Sequence, residues 1–171
     1  MNTSLTLLDR NLQLVRYPQN LQHPSWQAWD AADEYLIDYV EQNFPKLTNV
    51  SISIYNDDFG ALACWFAASK PIWVTDSYVA KQSCLINLQE NNISEELVTF
   101  HDSVTVIDVK AELVLLKVPK TTALLEQQLI DLQARVSPTT TVIAAGKATL
   151  IHKSTLAFCS SAIGYWRQVY A

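Results

Sequence analysis

The 171-residue chain contains three glycines, Gly60, Gly146 and Gly164, and this scarcity bounds its chemistry first. Loops that cradle phosphates or adenosyl cofactors need several residues without a Cβ, so that backbone N–H groups can close on the ligand. The stretch where such glycines would be sought, NDDFG (56–60) after the apolar run SISIY, holds one. Cysteine is equally sparse. Cys64, Cys84 and Cys159 show neither paired nor metal-ligand spacing and lie in apolar helical stretches, which predicts reduced core thiols. His23, His101 and His152 have no partners at ligand spacing, so no metal is expected. No run approaches the roughly 20 apolar residues that span a bilayer, and MNTSLTLLDR lacks the basic and apolar regions of a secretory signal. A cytoplasmic location without a membrane partner is therefore expected. Basic residues are outnumbered, 12 Lys and Arg against 17 Asp and Glu, and the net charge of −5 argues against indiscriminate nucleic-acid binding.

What is present is globular. Hydrophobic residues make up 49% and charged residues 17%, enough to bury one core, and no low-complexity linker divides the chain, so residues 1–171 are expected to form one domain. Residues 4–17 read as one or two short strands or an extended arm. SWQAWDAADEYLIDYVEQN (25–43) predicts a helix, with Trp29, Ala32, Leu36 and Val40 on one face and Ser25 as the N-cap region. Then follow a strand over 49–55, a helix over 60–69, a strand over 71–75, a helix over 77–90 and a weaker strand over 97–100. ELVLLKV (112–118) is apolar on both faces, as a central parallel strand should be. A helix over 121–136, a strand over 139–146 and a helix over about 149–162 complete the pattern. Strands alternating with helices at short intervals indicate an α/β fold with a mostly parallel sheet covered on both faces.

In such sheets ligands sit beyond the carboxyl ends of the strands. At the first of these ends, Asn56, Asp57, Asp58 and Gly60 replace a glycine-rich loop, and two acids would repel an anion from the following helix N-terminus. One of them is expected to cap that helix. Asp76, at the end of WVTD, stands where a nucleotide-binding relative would hold ribose hydroxyls; its alternative role is the N-cap of the next helix. The third end is LLKVPKT, with Lys117, Pro119 and Lys120.

The segments AWDAADEYL, NDDFGAL, DSYVAKQSCLINLQENNI, LVLLKVPKTTALLEQQL and AGKATLIHKSTL resemble the amino-terminal half of the ribosomal RNA large subunit methyltransferase G family, over about residues 10–164. The resemblance implies a three-layer Rossmann-like methyltransferase fold with a degenerate cofactor site. In that family a carboxyl-terminal domain carries the S-adenosylmethionine loop and the Asn-Pro-Pro-aromatic motif that methylates N2 of a guanine in 23S ribosomal RNA. The counterpart of that motif here is Lys117-Val118-Pro119-Lys120, and a lysine ammonium cannot accept a hydrogen bond from the target amino group. The resemblance thus implies no catalytic residue and no cofactor bound by this chain. S-adenosylmethionine belongs to the carboxyl-terminal catalytic domain, which would be a partner alongside 23S ribosomal RNA. After Gly164, YWRQVYA departs from the family pattern.

Charge is unevenly placed. Residues 1–109 carry five basic and fourteen acidic side chains, whereas residues 110–153 carry six and three. Lys117, Lys120, Lys147 and Lys153 fall at or just after strand ends, so the fold should gather them on one rim suited to phosphate contacts. Trp26 and Trp166, near element ends, are open to base stacking. Three readings follow: an RNA-recognition domain, an interaction module that orients a catalytic domain, and a self-sufficient methyltransferase, against which the shortage of glycine speaks.

Overall fold

The computed structural model describes residues 2–21, 23–162 and 167–170, with side chains at 158, 161, 162 and 167–170 left aside. The expected arm is an antiparallel hairpin of β1 (Ser4–Leu7) and β2 (Arg10–Gln13), turning through Leu8 and Asp9, both at positive φ. There follow α1 (Ala31–Asn43), β3 (Ile52–Tyr55), α2 (Ala61–Trp65), β4 (Ile72–Val74), α3 (Tyr78–Glu90), β5 (Thr99–His101), β6 (Leu113–Lys117), α4 (Thr122–Gln133), β7 (Thr141–Gly146), α5 (Lys153–Ala162) and β8 (Arg167–Tyr170). The last strand lies in the tail, where the sequence pattern predicts no element.

β3 to β8 form one six-stranded sheet in the order β5-β4-β3-β6-β7-β8, every pairing parallel. Counted within the sheet, the order is 3-2-1-4-5-6, the Rossmann arrangement, whose direction of winding reverses between β3 and β6. Alternation along β6 builds both layers. Leu113 and Leu115 join the core formed with α1, α2 and α3, while Val114 and Leu116 join the one formed with α4 and Cys159 of α5. The fold is therefore α/β and Rossmann-like, with helices on both faces.

Two local features fix the ends of helices near the β3–β6 junction. Helix α1 starts at Ala31 and not near Ser25, because Asp30 closes a reciprocal capping box: its Oδ1 accepts from the N–H groups of Ala32 and Asp33, and Asp33 Oδ2 accepts from the Asp30 N–H. Ser25 instead bonds the ring of His23 two residues earlier.

The chain after β2 is held on α3 by side chains. Asn91 accepts from the Gln13 N–H at 2.8 Å and donates to its carbonyl at 2.7 Å. Asn87 does the same for Val15 at 2.8 and 3.0 Å, and Ser83 Oγ accepts from the Tyr17 N–H at 3.0 Å. Buried Asn87 also donates to the Phe59 carbonyl, tying the loop after β3 to the same helix.

Gly60 is the N-cap of α2, at φ +89°. A Cβ there would lie 2.6 Å from the Cα of Cys84 on α3. Its missing side chain thus serves packing of α2 against α3. Gly60→Ala combines a left-handed residue with a backbone clash, and is expected to destabilise the domain by about 2–4 kcal/mol in urea unfolding. A loss below about 0.5 kcal/mol would mean that α2 and α3 separate without strain.

Candidate functional site at the sheet reversal

The carboxyl ends of β3 and β6 open into a cleft of about 1180 Å³. The fold rule makes this crevice the place for a ligand, and here its floor is occupied by the chain's own charged groups. Lys117, the last residue of β6, is 5% exposed. Its Nζ lies 3.0 Å from Asp33, 3.3 Å from Asp30 and 3.4 Å from Asp58. The first two acids come from the capped start of α1, the third from the loop after β3.

Asp57, 1% exposed, occupies the start of α2. Its carboxylate accepts from the Gly60 N–H at 3.2 Å, the Ala63 N–H at 2.9 Å and the Trp73 indole N–H at 3.0 Å. The backbone amides that would face an anionic ligand at this turn are thereby taken by an internal anion. Asn56, at φ +63°, completes the closure. Its amide donates to the Lys117 carbonyl and exchanges two 2.8 Å hydrogen bonds with Gln128 of α4, lacing β3, β6 and α4 together.

Burial governs the titration of these groups. It pushes the Asp33 carboxyl up to about 7, against the attraction of Lys117 and with help from Asp57 and Asp30. Asp57 is likewise raised by burial, against Lys117 and its donors. For Lys117 burial works in the opposite sense, but the carboxylates, led by Asp33, outweigh it and hold its pKa well above the ordinary value. Asp30 is partly buried, yet Lys117 and its backbone bonds keep it lowered.

The expected lysine rim is therefore corrected at one position. Lys117 points into this ion cluster, because four carboxylates stabilise its charge inside the protein better than an exposed loop could use it, and it does not reach the surface. Lys120 and Lys147 do line the cleft and are exposed. Lys153, also exposed, opens α5 but is not part of the cleft lining. The role of Asp76 is corrected too: Ser77 caps α3 through a bond from the Ala80 N–H, and Asp76 accepts from the Ser103 N–H at 2.7 Å, joining the loops after β4 and β5. Trp26 is 40% exposed; Trp166 falls outside the described residues. No group of three His, Cys, Asp or Glu among the described residues is placed to hold a metal, and no described helix is long and apolar enough to cross a membrane.

Sequence reasoning missed Asp30, Asp33, Trp73 and Gln128 as members of the site. A signal for Asp33 existed: it is spaced i, i+4 and i+7 with Ile37 and Val40, both buried, so the acid sits on an apolar stripe and needs a partner. The cleft lining also includes the exposed aliphatic side chains of Val104, Val106 and Ile130.

Because Asp33 and Asp57 hold protons in the folded state that the unfolded chain has already released above its ordinary carboxylate pKa of 3.8, the folded state binds more protons over this range. For Asp33 the stabilisation is full below pH 3.8 and is lost as the pH rises through about 7. Asp33→Asn cannot ionise, yet keeps an oxygen for the Asp30 N–H. It is expected to flatten the fall in unfolding free energy between about pH 5 and 7.5 by up to about 1.4 kcal/mol per pH unit, the value for one proton. An unchanged slope in paired urea titrations would show that Asp33 ionises alike in both states.

A family model described as the RLMG N-terminal domain matches residues 2–171. The chain is 55% identical over 165 residues to the Ribosomal RNA large subunit methyltransferase G of Pseudoalteromonas atlantica, covering 96% of this chain and 43% of the relative. It is 46% identical to the protein of the same name from Cronobacter sakazakii, covering 90% and 40%. The chain thus spans less than half the length of these relatives. A solved structure described as a candidate SAM-dependent methyltransferase from Streptococcus mutans superimposes with a TM-score of 0.64 at 9% identity, over 96% of this chain and 47% of that one; at that identity the likeness concerns the fold.

Proposed function

The chain belongs to the RLMG N-terminal domain family, and from that premise we propose that it is a non-catalytic RNA-gripping domain of an S-adenosylmethionine-dependent 23S ribosomal RNA (guanine-N2)-methyltransferase. The chemistry then resides in the part of the longer relatives that this chain does not span. The observation that carries the reading is the occupied crevice. Asp57 caps α2 from within, Gly60 is used against Cys84, and the Lys117 cluster fills the floor between β3 and β6. These residues do not fit an adenosyl cofactor, which needs open backbone at this turn. What remains outward is a surface with Lys120 and Lys147 on the cleft and Lys153 beyond it, a local basic edge on an otherwise acidic domain.

A second reading has its own observation. Val104, Val106 and Ile130, all more than half exposed and lining one cleft, Val106 at 89%, suit contact with another protein surface. Under that reading the domain orients the catalytic one and grips RNA little.

Two measurements test the proposal. Titration calorimetry of this chain with S-adenosylmethionine is expected to show no stoichiometric site at tens of micromolar, the range of a weak site; such a site would restore a self-sufficient enzyme. Replacing Lys120, Lys147 and Lys153 together by Gln is expected to weaken binding to naked 23S RNA and to shallow the log-log salt dependence by about 0.7 to 0.9 per contact, hence by about 2 to 3 in total. Replacing Lys46 and Lys70, which precede β3 and β4 at the other end of the sheet, should leave the slope alone. An unchanged slope in the triple variant would favour the orienting module.

A further inference from the structure

The four tryptophans described in full divide by the fate of their indole N–H. Those of Trp29, Trp65 and Trp73 donate to the carboxylates of Glu34, Glu41 and Asp57 at 2.8 to 3.0 Å, and all three rings are buried. Trp26 is 40% exposed, and its N–H has no acceptor among the described residues. Burial does not account for this ring, yet it is firmly placed. Its backbone N–H closes a turn on the His23 carbonyl at 2.9 Å. The His23 ring lies 5.9 Å from it, tilted by 42°.

Arg16 holds the ring as well. Its guanidinium lies 5.2 Å from the centre of the Trp26 ring and 4.5 Å from that of Phe59, while its Nε donates to the Gln27 carbonyl at 2.8 Å. A cation held against two aromatic rings and anchored to the next residue's carbonyl fixes the indole before any ligand arrives. Arg16 and Phe59 also line the cleft that Lys120 and Lys147 edge. The guanidinium that holds Trp26 thus belongs to the same cleft lining as the ammonium groups of Lys120 and Lys147.

We propose that Trp26, held by Arg16, is a stacking platform for one unpaired base of a single-stranded RNA segment whose phosphates run toward Lys120 and Lys147. The inference rests on the RNA reading above and specifies it. Duplex RNA presents no free base face, whereas loops and ends do, and bases splayed from such segments stack on aromatic and guanidinium planes. The preset ring avoids the ordering that a mobile side chain would require, and its N–H can donate to a phosphate or base edge.

The test uses the 171-residue chain and two labelled oligoribonucleotides of about ten nucleotides, a length within the usual site size, one of mixed sequence and one with abasic sugars on the same backbone. Trp26→Leu is expected to weaken binding of the mixed oligonucleotide about tenfold, to leave the abasic one unaffected, and to be rescued largely by Trp26→Phe. The Lys120, Lys147 and Lys153 triple variant should weaken both. Equal loss for both oligonucleotides in Trp26→Leu would make the ring structural and overturn stacking. Unchanged binding of both in Trp26→Leu, with loss in the lysine variant, would overturn stacking while leaving the RNA reading standing. No effect of either variant, or no binding by the parent chain, would overturn the two together.

Discussion

One ammonium group organises the centre of this molecule. Lys117 ends a strand buried at every residue and draws carboxylates from the start of α1 and the loop after β3 to within 3.0 to 3.4 Å. A charge so buried is tolerated only with partners, and removing one side leaves the other uncompensated, a loss of about 3–5 kcal/mol in comparable cases. Helix α1 therefore cannot be placed independently of β6. The capping box that starts α1 uses the same two acids that hold the lysine, so helix initiation, sheet contact and closure of the crevice are one arrangement.

The rest of the cleft follows from that closure. With its floor filled internally, the region beyond the strand ends is of mixed character: aliphatic side chains from the loop after β5 and from α4, lysines after β6 and β7, and Arg16 with Phe59. A small anionic ligand meets acids in such a cleft, whereas an extended polymer can touch its edges and pass over its centre. This is the physical sense in which a Rossmann sheet can keep its topology while its use moves from pocket to rim.

Much of the architecture was legible in the chain. Apolar segments located every strand from β3 to β7 within a few residues, most clearly β3, β6 and β7, whose side chains are buried almost throughout, and α1 and α4 each bury the apolar positions of one stripe. The resemblance to its family was legible as well. The site was less so. Lys120 and Lys147 reach the cleft as loop positions after parallel strands should, but Lys117, one residue inside the strand, has its side chain directed by the pleat into the protein. A helix cap from Asp57 or Asp58 was legible, though not that Asp57 supplies it nor its bond to Trp73, which joins residues sixteen apart across two strands. Asp76 yielded the cap to Ser77, one residue later, because only Ser77 lies where its oxygen meets the Ala80 N–H at 3.1 Å. β8 escaped since four residues without strong alternation carry little periodic signal.

The arm seated on α3 has a further consequence, one of commensurate lengths. Residues four apart on a helix are separated by about 6.0 Å along its axis, and residues two apart on an extended chain by about 6.6–6.8 Å. The near match lets Asn91, Asn87 and Ser83 meet Gln13, Val15 and Tyr17 in turn, so that a helix stands in for the neighbouring strand of a sheet. The two rulers still drift apart by about 0.6–0.8 Å at every step. Across three rungs the hydrogen bonds can absorb this; a fourth would have to span a mismatch of about 2 Å. The last rung already consists of one hydroxyl contact where the first two are paired amides. A helix used in this way sets its own limit on how long an arm it can hold.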